Sequence, residues 1–291
     1  LGGREMSFGS DLDILIVFSG DGRTAAGPGS HHNSESVPNH IYYTHLYEEL
    51  LNAVSAVTAG GYAYKIDMRL RPEGDKGSLA LPLNKFSDYF IREEKAWVRQ
   101  AMVKARPVAG DMELGGRFME AAHRFIYGKE FGRRQAEEIA HNRVRMEKEL
   151  AREVRGQRDL KHGLGGITDI EFAVQLLQLK HGCDHPEIRS PGTLNALNEL
   201  LGESLISQEE HRYLQEAYLF LRQVELNLRI VEERPVHALP RSPREQDKLA
   251  RRVGFAPKDA QREGRMLMVK YERLTAGVRE TYEKILRRTL G

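Results

Sequence analysis

The segment Asp11–Phe18 constrains the fold more than any other part of the chain. It reads DLDILIVF, is rich in β-branched residues, and has Gly and Ser residues at both ends. Side-chain alternation places Asp11 and Asp13 on one face of a strand, whereas the other face is apolar throughout. The segment therefore predicts a central strand that is covered on both faces and carries two carboxylates at its start.

A second strand is predicted over Tyr62–Leu70, which alternates between apolar and charged residues. Its charged face carries Lys65, Asp67 and Arg69, and Arg71 is next in line. Between the two strands we expect a loop over Ser19–Asn39 and then a helix. That helix has an apolar stripe at Tyr43, Leu46, Leu50, Val54 and Val57 and ends at Gly60-Gly61.

The rest of the chain is predicted to be helical from Phe86 onward. Two heptad-like seams of apolar residues indicate long packed helices. The first seam is Leu214, Ala217, Leu221, Val224, Leu228 and Val231, and the second is Leu267, Tyr271, Leu274, Val278, Tyr282 and Ile285. Several such helices in a row imply a bundle. We therefore predict the α+β class, with a small mixed sheet in a domain over residues 1–110 and an all-α helical bundle over residues 111–291.

The bulk composition narrows the partners that the chain can have. The formal net charge is only +2, which argues against a general field for nucleic acid. No apolar run approaches the ~20 residues that span a bilayer, so no membrane role is expected. The single cysteine, Cys183, excludes a disulfide framework and favours a reducing, cytoplasmic setting.

The two strands together carry a candidate metal site. Asp11 and Asp13 point the same way, and Asp67 lies on the charged face of the next strand. Carboxylate oxygens combined with phosphate oxygens are the ligands that Mg²⁺ prefers. We therefore predict that these three aspartates hold Mg²⁺ for chemistry at a phosphate. The competing interpretation is that the D-x-D motif is only a solvated strand end.

Neighbouring residues are candidates for binding the phosphates. Gly9 would let the backbone approach a phosphate closely, and Ser10 adds a hydroxyl donor. Arg69 and Arg71 share the face of Asp67 and would neutralise the charge of a triphosphate. The alternative is that both arginines form surface ion pairs.

A glycine-rich segment, Lys161–Phe172, is open to two interpretations. Thr168 or Asp169 is expected to cap the apolar helix that follows the glycines. A functional alternative is that Asp169 and Glu171 help to complete the active site.

Four motifs of this chain resemble the glutamate–ammonia ligase adenylyltransferase family. They are LGGREM leading into GSDLD (Leu1–Asp13), DMRLRP (Asp67–Pro72), AMVKAR (Ala101–Arg106) and GGITDIEF (Gly165–Phe172). Their order and spacing match over essentially the whole chain. The resemblance implies a polymerase-β-like nucleotidyltransferase domain followed by a helical domain, with Asp11, Asp13 and Asp67 as the metal carboxylates.

The resemblance also implies an activity and partners. One unit of the family adds AMP from ATP to a tyrosine of glutamine synthetase, in control of nitrogen assimilation. The other removes that AMP by phosphorolysis and releases ADP. The sequence around Gly3–Met6 and Ile167–Phe172 favours the adenylylating unit, with glutamine synthetase and a PII-type signalling protein as partners. The alternatives are the removing unit and a regulatory module without turnover. We also expect the chain to be part of a longer protein whose preceding strand is missing.

Overall fold

The structure, a computed structural model, describes residues 1–7, 9–25, 36–59, 61–151, 158–232, 234–256 and 262–291. Residues 26–35 of the predicted loop and Gly60 at the predicted helix end lie outside these ranges. The strands are β1 (Leu12–Asp13), β2 (Ile16–Phe18), β3 (Ile66–Asp67) and β4 (Ala80–Pro82). The helices are α1 (Asn39–Ser55), α2 (Leu83–Arg92), α3 (Ala96–Met102), α4 (Met112–Tyr127), α5 (Arg133–Leu150), α6 (Ile167–His181), α7 (Thr193–Gly202), α8 (Gln208–Glu232), α9 (Pro243–Arg252) and α10 (Glu263–Leu290).

The described residues are therefore mostly helical, with a few short strands, which confirms the α+β class. They form two compact units. The first unit comprises residues 1–2, 10–94 and 105–126, and the second comprises residues 3–9, 95–104 and 127–291. The domain boundary after residue 110 stays a prediction. Residues 111–126 cluster with the first unit because aromatic side chains of α4 pack on α2, with Phe118 against Phe86 and Phe125 stacked on Phe90.

The segment Asp11–Phe18 pairs with two different strands along its length. β1 pairs with β3, and β2 pairs with β4, both in parallel. The prediction of one continuous strand was wrong because the chain changes partner at Ile14 and Leu15. The predicted small mixed sheet is also corrected: the described strands form two separate parallel pairs.

The second predicted strand is much shorter than Tyr62–Leu70. Only Ile66 and Asp67 pair with a neighbour. The backbone N–H of Tyr64 instead donates to Val54 O at the end of α1, 3.2 Å away. After Met68 the chain turns, since Arg71 N donates to Met68 O at 3.1 Å. The predicted apolar face of this strand is not buried at Tyr64, which is 43% exposed.

Helix α1 packs through only part of the predicted stripe. Tyr43 stacks on Phe18 with ring centroids 4.8 Å apart, and Tyr47 is buried. These residues are four apart and share a face, because an α-helix turns every 3.6 residues. Leu46, Leu50 and Val57 are exposed, and Val57 follows the end of α1 at Ser55, which corrects the prediction for these three residues.

The second unit is a helical bundle, as predicted. The seam of α10 is buried at every predicted position, and that of α8 is buried up to Leu228. Val231, in the last turn of α8, is 50% exposed. Helix α6 is buried almost throughout, so it forms the centre of the bundle. None of the helices in the described ranges combines the length and apolarity that a membrane crossing needs.

Candidate active site

The pairing of β1 with β3 brings two of the predicted carboxylates side by side. Asp13 is the register partner of Asp67. The pairing is fixed by two backbone hydrogen bonds, Leu12 N to Lys65 O at 2.8 Å and Ile14 N to Asp67 O at 3.2 Å. Register partners in adjacent strands present their side chains on the same face of the sheet. The sequence pattern therefore leads to neighbouring carboxylates by way of strand pairing.

A cleft of about 430 Å³ lies beside these strands. Its lining residues are Asp11, Tyr47, Leu51, Lys65, Ile66, Asp67, Met68, Arg69, Arg71, Asp75 and Leu79. One part of the lining is apolar, through Leu51, Met68 and Leu79, and another part carries both signs of charge. Such a lining suits a ligand with an apolar ring and an anionic tail.

Arg69 is bound to Asp67 rather than left pointing into solvent. Its Nε donates to both carboxylate oxygens, at 3.0 Å and 2.8 Å, and its Nη2 also contacts Oδ2. The backbone N–H of Arg69 donates to Oδ1 at 2.9 Å. The Arg69 side chain is 75% exposed, whereas that of Asp67 is 17% exposed. The surface ion pair weighed as an alternative for Arg69 is thus present, and it involves a predicted metal ligand.

Arg71 has a different role in the structure. Its guanidinium donates to three backbone carbonyls of the turn after β3, at Met68 (3.0 Å), Asp75 (3.2 Å) and Gly77 (3.1 Å). These bonds tie three carbonyls of the turn to one guanidinium. Arg71 therefore holds the turn in shape, and its role toward phosphate stays a prediction.

The two paired carboxylates differ in their electrostatics. Partial desolvation of Asp13, which is otherwise exposed, followed by repulsion from Asp67, raises the pKa of Asp13 above its ordinary value. The hydrogen bond from Arg69 lowers the pKa of Asp67. A cation placed between the two would relieve the repulsion felt by Asp13, and oxygen donors are the type that Mg²⁺ takes. The donor set therefore fits a magnesium ion.

The predicted trio of aspartates is not gathered into a finished metal cluster. Within the described ranges, no three His, Cys, Asp or Glu side chains are grouped closely enough to hold a metal ion. Asp11 precedes β1 by one residue and lines the cleft, while Asp13 and Asp67 are paired. The metal roles of the three thus stay predictions.

The glycine and serine before β1 fall in different units. Gly9 has a positive φ of 70°, a conformation that glycine adopts without strain, and it lies near Pro235 in the second unit. Ser10 begins the long segment of the first unit. Their predicted contacts with phosphate remain predictions.

Asp169 belongs to the interior of the second unit. The first helical residue of α6 is Ile167, and Gly166 takes the N-cap position, so the predicted cap at Thr168 or Asp169 was wrong by two or three residues. The Asp169 carboxylate instead reaches back to accept from Gly165 N at 2.8 Å and contacts Arg143 Nε. Both side chains of the Asp169–Arg143 pair are fully buried.

Glu171 is paired within the second unit as well. Lys104 Nζ lies 2.7 Å from Glu171 Oε1 and 3.0 Å from Glu5 Oε2. Burial alone would lower the pKa of Lys104, but the two carboxylates outweigh it and raise that pKa above its ordinary value. Glu5 also accepts from the Thr193 hydroxyl at 3.1 Å. Three of the sequence motifs thus meet in one ion-pair cluster.

Sequence reasoning missed Tyr47 as a residue of the cleft. Its side chain is 1% exposed, and its buried hydroxyl has no hydrogen-bond partner among the described residues. Burial raises the pKa of Tyr47 to about 12, so the phenol is protonated at neutral pH. Its spacing of four residues from Tyr43 was the available signal.

Two family models match consecutive parts of the chain. Residues 1–121 match glutamate-ammonia ligase adenylyltransferase, and residues 133–286 match GlnD PII-uridylyltransferase. Similar curated proteins are named bifunctional glutamine synthetase adenylyltransferase/adenylyl-removing enzyme. The one from Xanthomonas axonopodis pv. citri (strain 306) is 33% identical over 88% of this chain and 26% of its own length. The one from Burkholderia mallei (strain ATCC 23344) is 35% identical over 88% of this chain and 28% of its own length.

These matches place the chain among proteins named as adenylyltransferases, which are a kind of nucleotidyltransferase. More narrowly, the chain belongs to the glutamate–ammonia ligase adenylyltransferase family. It spans about a quarter of the length of these curated relatives.

Proposed function

We propose that this chain catalyses the Mg²⁺-dependent transfer of AMP from ATP to a tyrosine of glutamine synthetase, and so regulates nitrogen assimilation. The observation that carries the proposal is the register pairing of Asp13 with Asp67 beside a cleft lined by cations. A polymerase-β-like nucleotidyltransferase fold for the first unit is part of the same proposal.

Each part of the cleft has a task in this reaction. The carboxylates of Asp11, Asp13 and Asp67 would hold Mg²⁺, which, when bound, polarises the α-phosphate and favours an ionised attacking hydroxyl. Lys65 and Arg69 are exposed cations at the cleft and would offset the charge of the triphosphate. The apolar side chains of the lining would contact the adenine.

The reaction is an in-line displacement at the α-phosphorus. The tyrosine oxygen forms a bond to that phosphorus as the bond to the bridging oxygen of pyrophosphate breaks. The hydroxyl proton is released, and pyrophosphate leaves with the electron pair of the broken bond. Cations fixed beside the leaving group stabilise its developing charge.

The second unit would dock the protein partners. Residues 133–286, which match the GlnD PII-uridylyltransferase family, form helices α5 to α10. We assign to this bundle the contacts with glutamine synthetase and with a PII-type signalling protein. The proposed setting is the cytoplasm.

Removal of AMP is the second candidate activity, since the names of the relatives combine both activities. In that reaction inorganic phosphate would attack the phosphorus of the tyrosine-bound AMP. The bond to the tyrosine oxygen would break, the tyrosine would regain its proton, and the product would be ADP. The same kind of cleft would suit either reaction, so the two activities are told apart by their substrates.

Intact-protein mass spectrometry of glutamine synthetase tests the proposal. After incubation with the chain, ATP and Mg²⁺, each glutamine synthetase subunit is expected to gain one AMP. Asp13→Asn should abolish the gain, whereas Asp88→Asn, at an exposed position on α2, should preserve it. Loss of AMP from adenylylated glutamine synthetase plus phosphate, without any gain from ATP, would instead identify the removing unit. No change in either assay would contradict both activities.

A further inference from the structure

The carboxylate of Asp67 is already saturated with hydrogen bonds from a single residue. Oδ1 accepts from the backbone N–H and the Nε of Arg69, and Oδ2 accepts from Nε and Nη2. An ionised carboxylate offers about four acceptor positions. The four contacts come from three nitrogens of Arg69, since Nε is shared, and they engage both of the oxygens through which Asp67 would bind a cation.

Arg69 is nevertheless poorly fixed by anything else. Its side chain is 75% exposed, so water can solvate the guanidinium when it leaves the carboxylate of Asp67, whose own side chain is 17% exposed. Arg71, two residues on, shows the contrast: its guanidinium is held by three backbone carbonyls of one turn. Moving the Arg69 guanidinium away from Asp67 thus breaks no other described contact of that group.

The carboxylate that Arg69 binds and the nucleotide phosphates that it would bind belong to the same cleft. Arg69, Asp67 and Asp11 line it together with Lys65. A guanidinium binds a phosphate with the same two-pronged geometry that it uses for a carboxylate, so Arg69 can exchange one anion for the other without losing its charge pairing.

We propose that Arg69 is an exchangeable counter-ion of the active site, which neutralises Asp67 until a divalent cation takes that carboxylate and the guanidinium transfers to the nucleotide phosphates. This inference rests on the proposed function, since it needs a cation at Asp67 and a nucleotide in the cleft. It gives Arg69 two opposite effects, because the residue competes with the metal and assists the nucleotide.

The opposite effects define the experiment, which uses the full 291-residue chain and measures binding without turnover. Mn²⁺ binding is followed by electron paramagnetic resonance, and binding of a non-hydrolysable ATP analogue in the presence of Mn²⁺ is followed by calorimetry. In Arg69→Gln the Mn²⁺ dissociation constant is expected to fall about two- to five-fold, the range for losing an exposed competing charge. The dissociation constant of the analogue is expected to rise about ten-fold or more, for a lost charge-assisted hydrogen bond.

Lys65→Gln is the matched control, because it removes one positive charge from the same cleft and leaves Asp67 bound to Arg69. Lys65→Gln is expected to weaken binding of the ATP analogue without strengthening binding of Mn²⁺. Circular dichroism of each variant shows whether its fold is preserved.

The outcomes separate this inference from the function on which it rests. If the unaltered chain does not bind Mn²⁺, or if Asp67→Asn leaves that binding unchanged, the proposed metal site fails and the exchange fails with it. If the unaltered chain binds Mn²⁺ through Asp67 but Arg69→Gln weakens binding of both Mn²⁺ and the ATP analogue, Arg69 has a merely structural role and the exchange is overturned. If Arg69→Gln and Lys65→Gln strengthen Mn²⁺ binding equally, the effect comes from the loss of any positive charge in the cleft. That result would overturn the proposed exchange.

Discussion

The buried ion pair between Arg143 and Asp169 gives the sharpest prediction about stability. Both side chains are 0% exposed. Asp169→Asn removes the fully buried negative charge and leaves the Arg143 guanidinium with only Glu147, 3.5 Å away, as a charged partner among the described residues. Breaking one partner of a buried pair costs about 3–5 kcal/mol. At roughly 2–4 °C per kcal/mol for a unit of this size, the melting temperature should fall by about 6–20 °C.

Thermal unfolding followed by circular dichroism measures this shift in melting temperature. Helix α5, which carries Arg143, also supplies a control. Arg133 and Glu137 also form an ion pair on α5, but their side chains are 70% and 54% exposed. Arg133→Ala should therefore cost about 0.5 kcal/mol or less. A loss below about 1 kcal/mol for Asp169→Asn, on the same scale, would refute the reasoning. Below its melting temperature, Asp169→Asn should bind Mn²⁺ normally; weakened Mn²⁺ binding would favour the alternative that Asp169 completes the active site.

Three further predictions concern the second unit. Gly165→Ala should destabilise the chain by about 2–4 kcal/mol in urea unfolding. The reason is that φ of Gly165 is 65° and an added Cβ would lie 1.8 Å from Thr275 O. The control is Gly202→Ala, which has open space around it and should cost no stability. Lys104→Met should lower the unfolding free energy by about 2–3 kcal/mol, since it leaves two carboxylates without their cation; an unchanged urea midpoint would contradict this. Burial would raise the pKa of Glu225, but the neighbouring histidine and arginines outweigh it and lower that pKa to about 2. The contribution of Glu225 to the free energy of unfolding should be complete above its ordinary pKa near 4.5 and lost as the pH falls toward 2. In Glu225→Gln the free energy of unfolding should therefore vary less with pH between these two values.

The sequence predicted the helical bundle well and the sheet poorly. The seams of α8 and α10 repeat over six positions each, so the pattern identifies both helices although Val231 is exposed. The strands are only two or three residues long and change partner within Asp11–Phe18. Alternation cannot reveal such a change, because it reports which way side chains face and not which strand lies next to them.

The candidate site was predictable in its residues but not in their contacts. Alternation along the two strand segments makes the D-x-D motif and Asp67 candidates, whose metal roles stay predictions, and the register places Asp13 next to Asp67. That Arg69 would bind Asp67, and that Arg71 would brace a turn, depends on side-chain conformation. Tyr47 was overlooked because the neighbouring leucines of α1 form a competing stripe, and only the packed sheet selects the face that is buried.

Transfer of radioactive label from ATP to glutamine synthetase tests the central claim most directly. With [α-³²P]ATP and Mg²⁺, the account predicts label on a tyrosine of glutamine synthetase, none from [γ-³²P]ATP, and none when the chain carries Asp67→Asn. Label from the γ-position, or undiminished α-label with Asp67→Asn, would contradict the assignment of nucleotidyl transfer to these paired carboxylates.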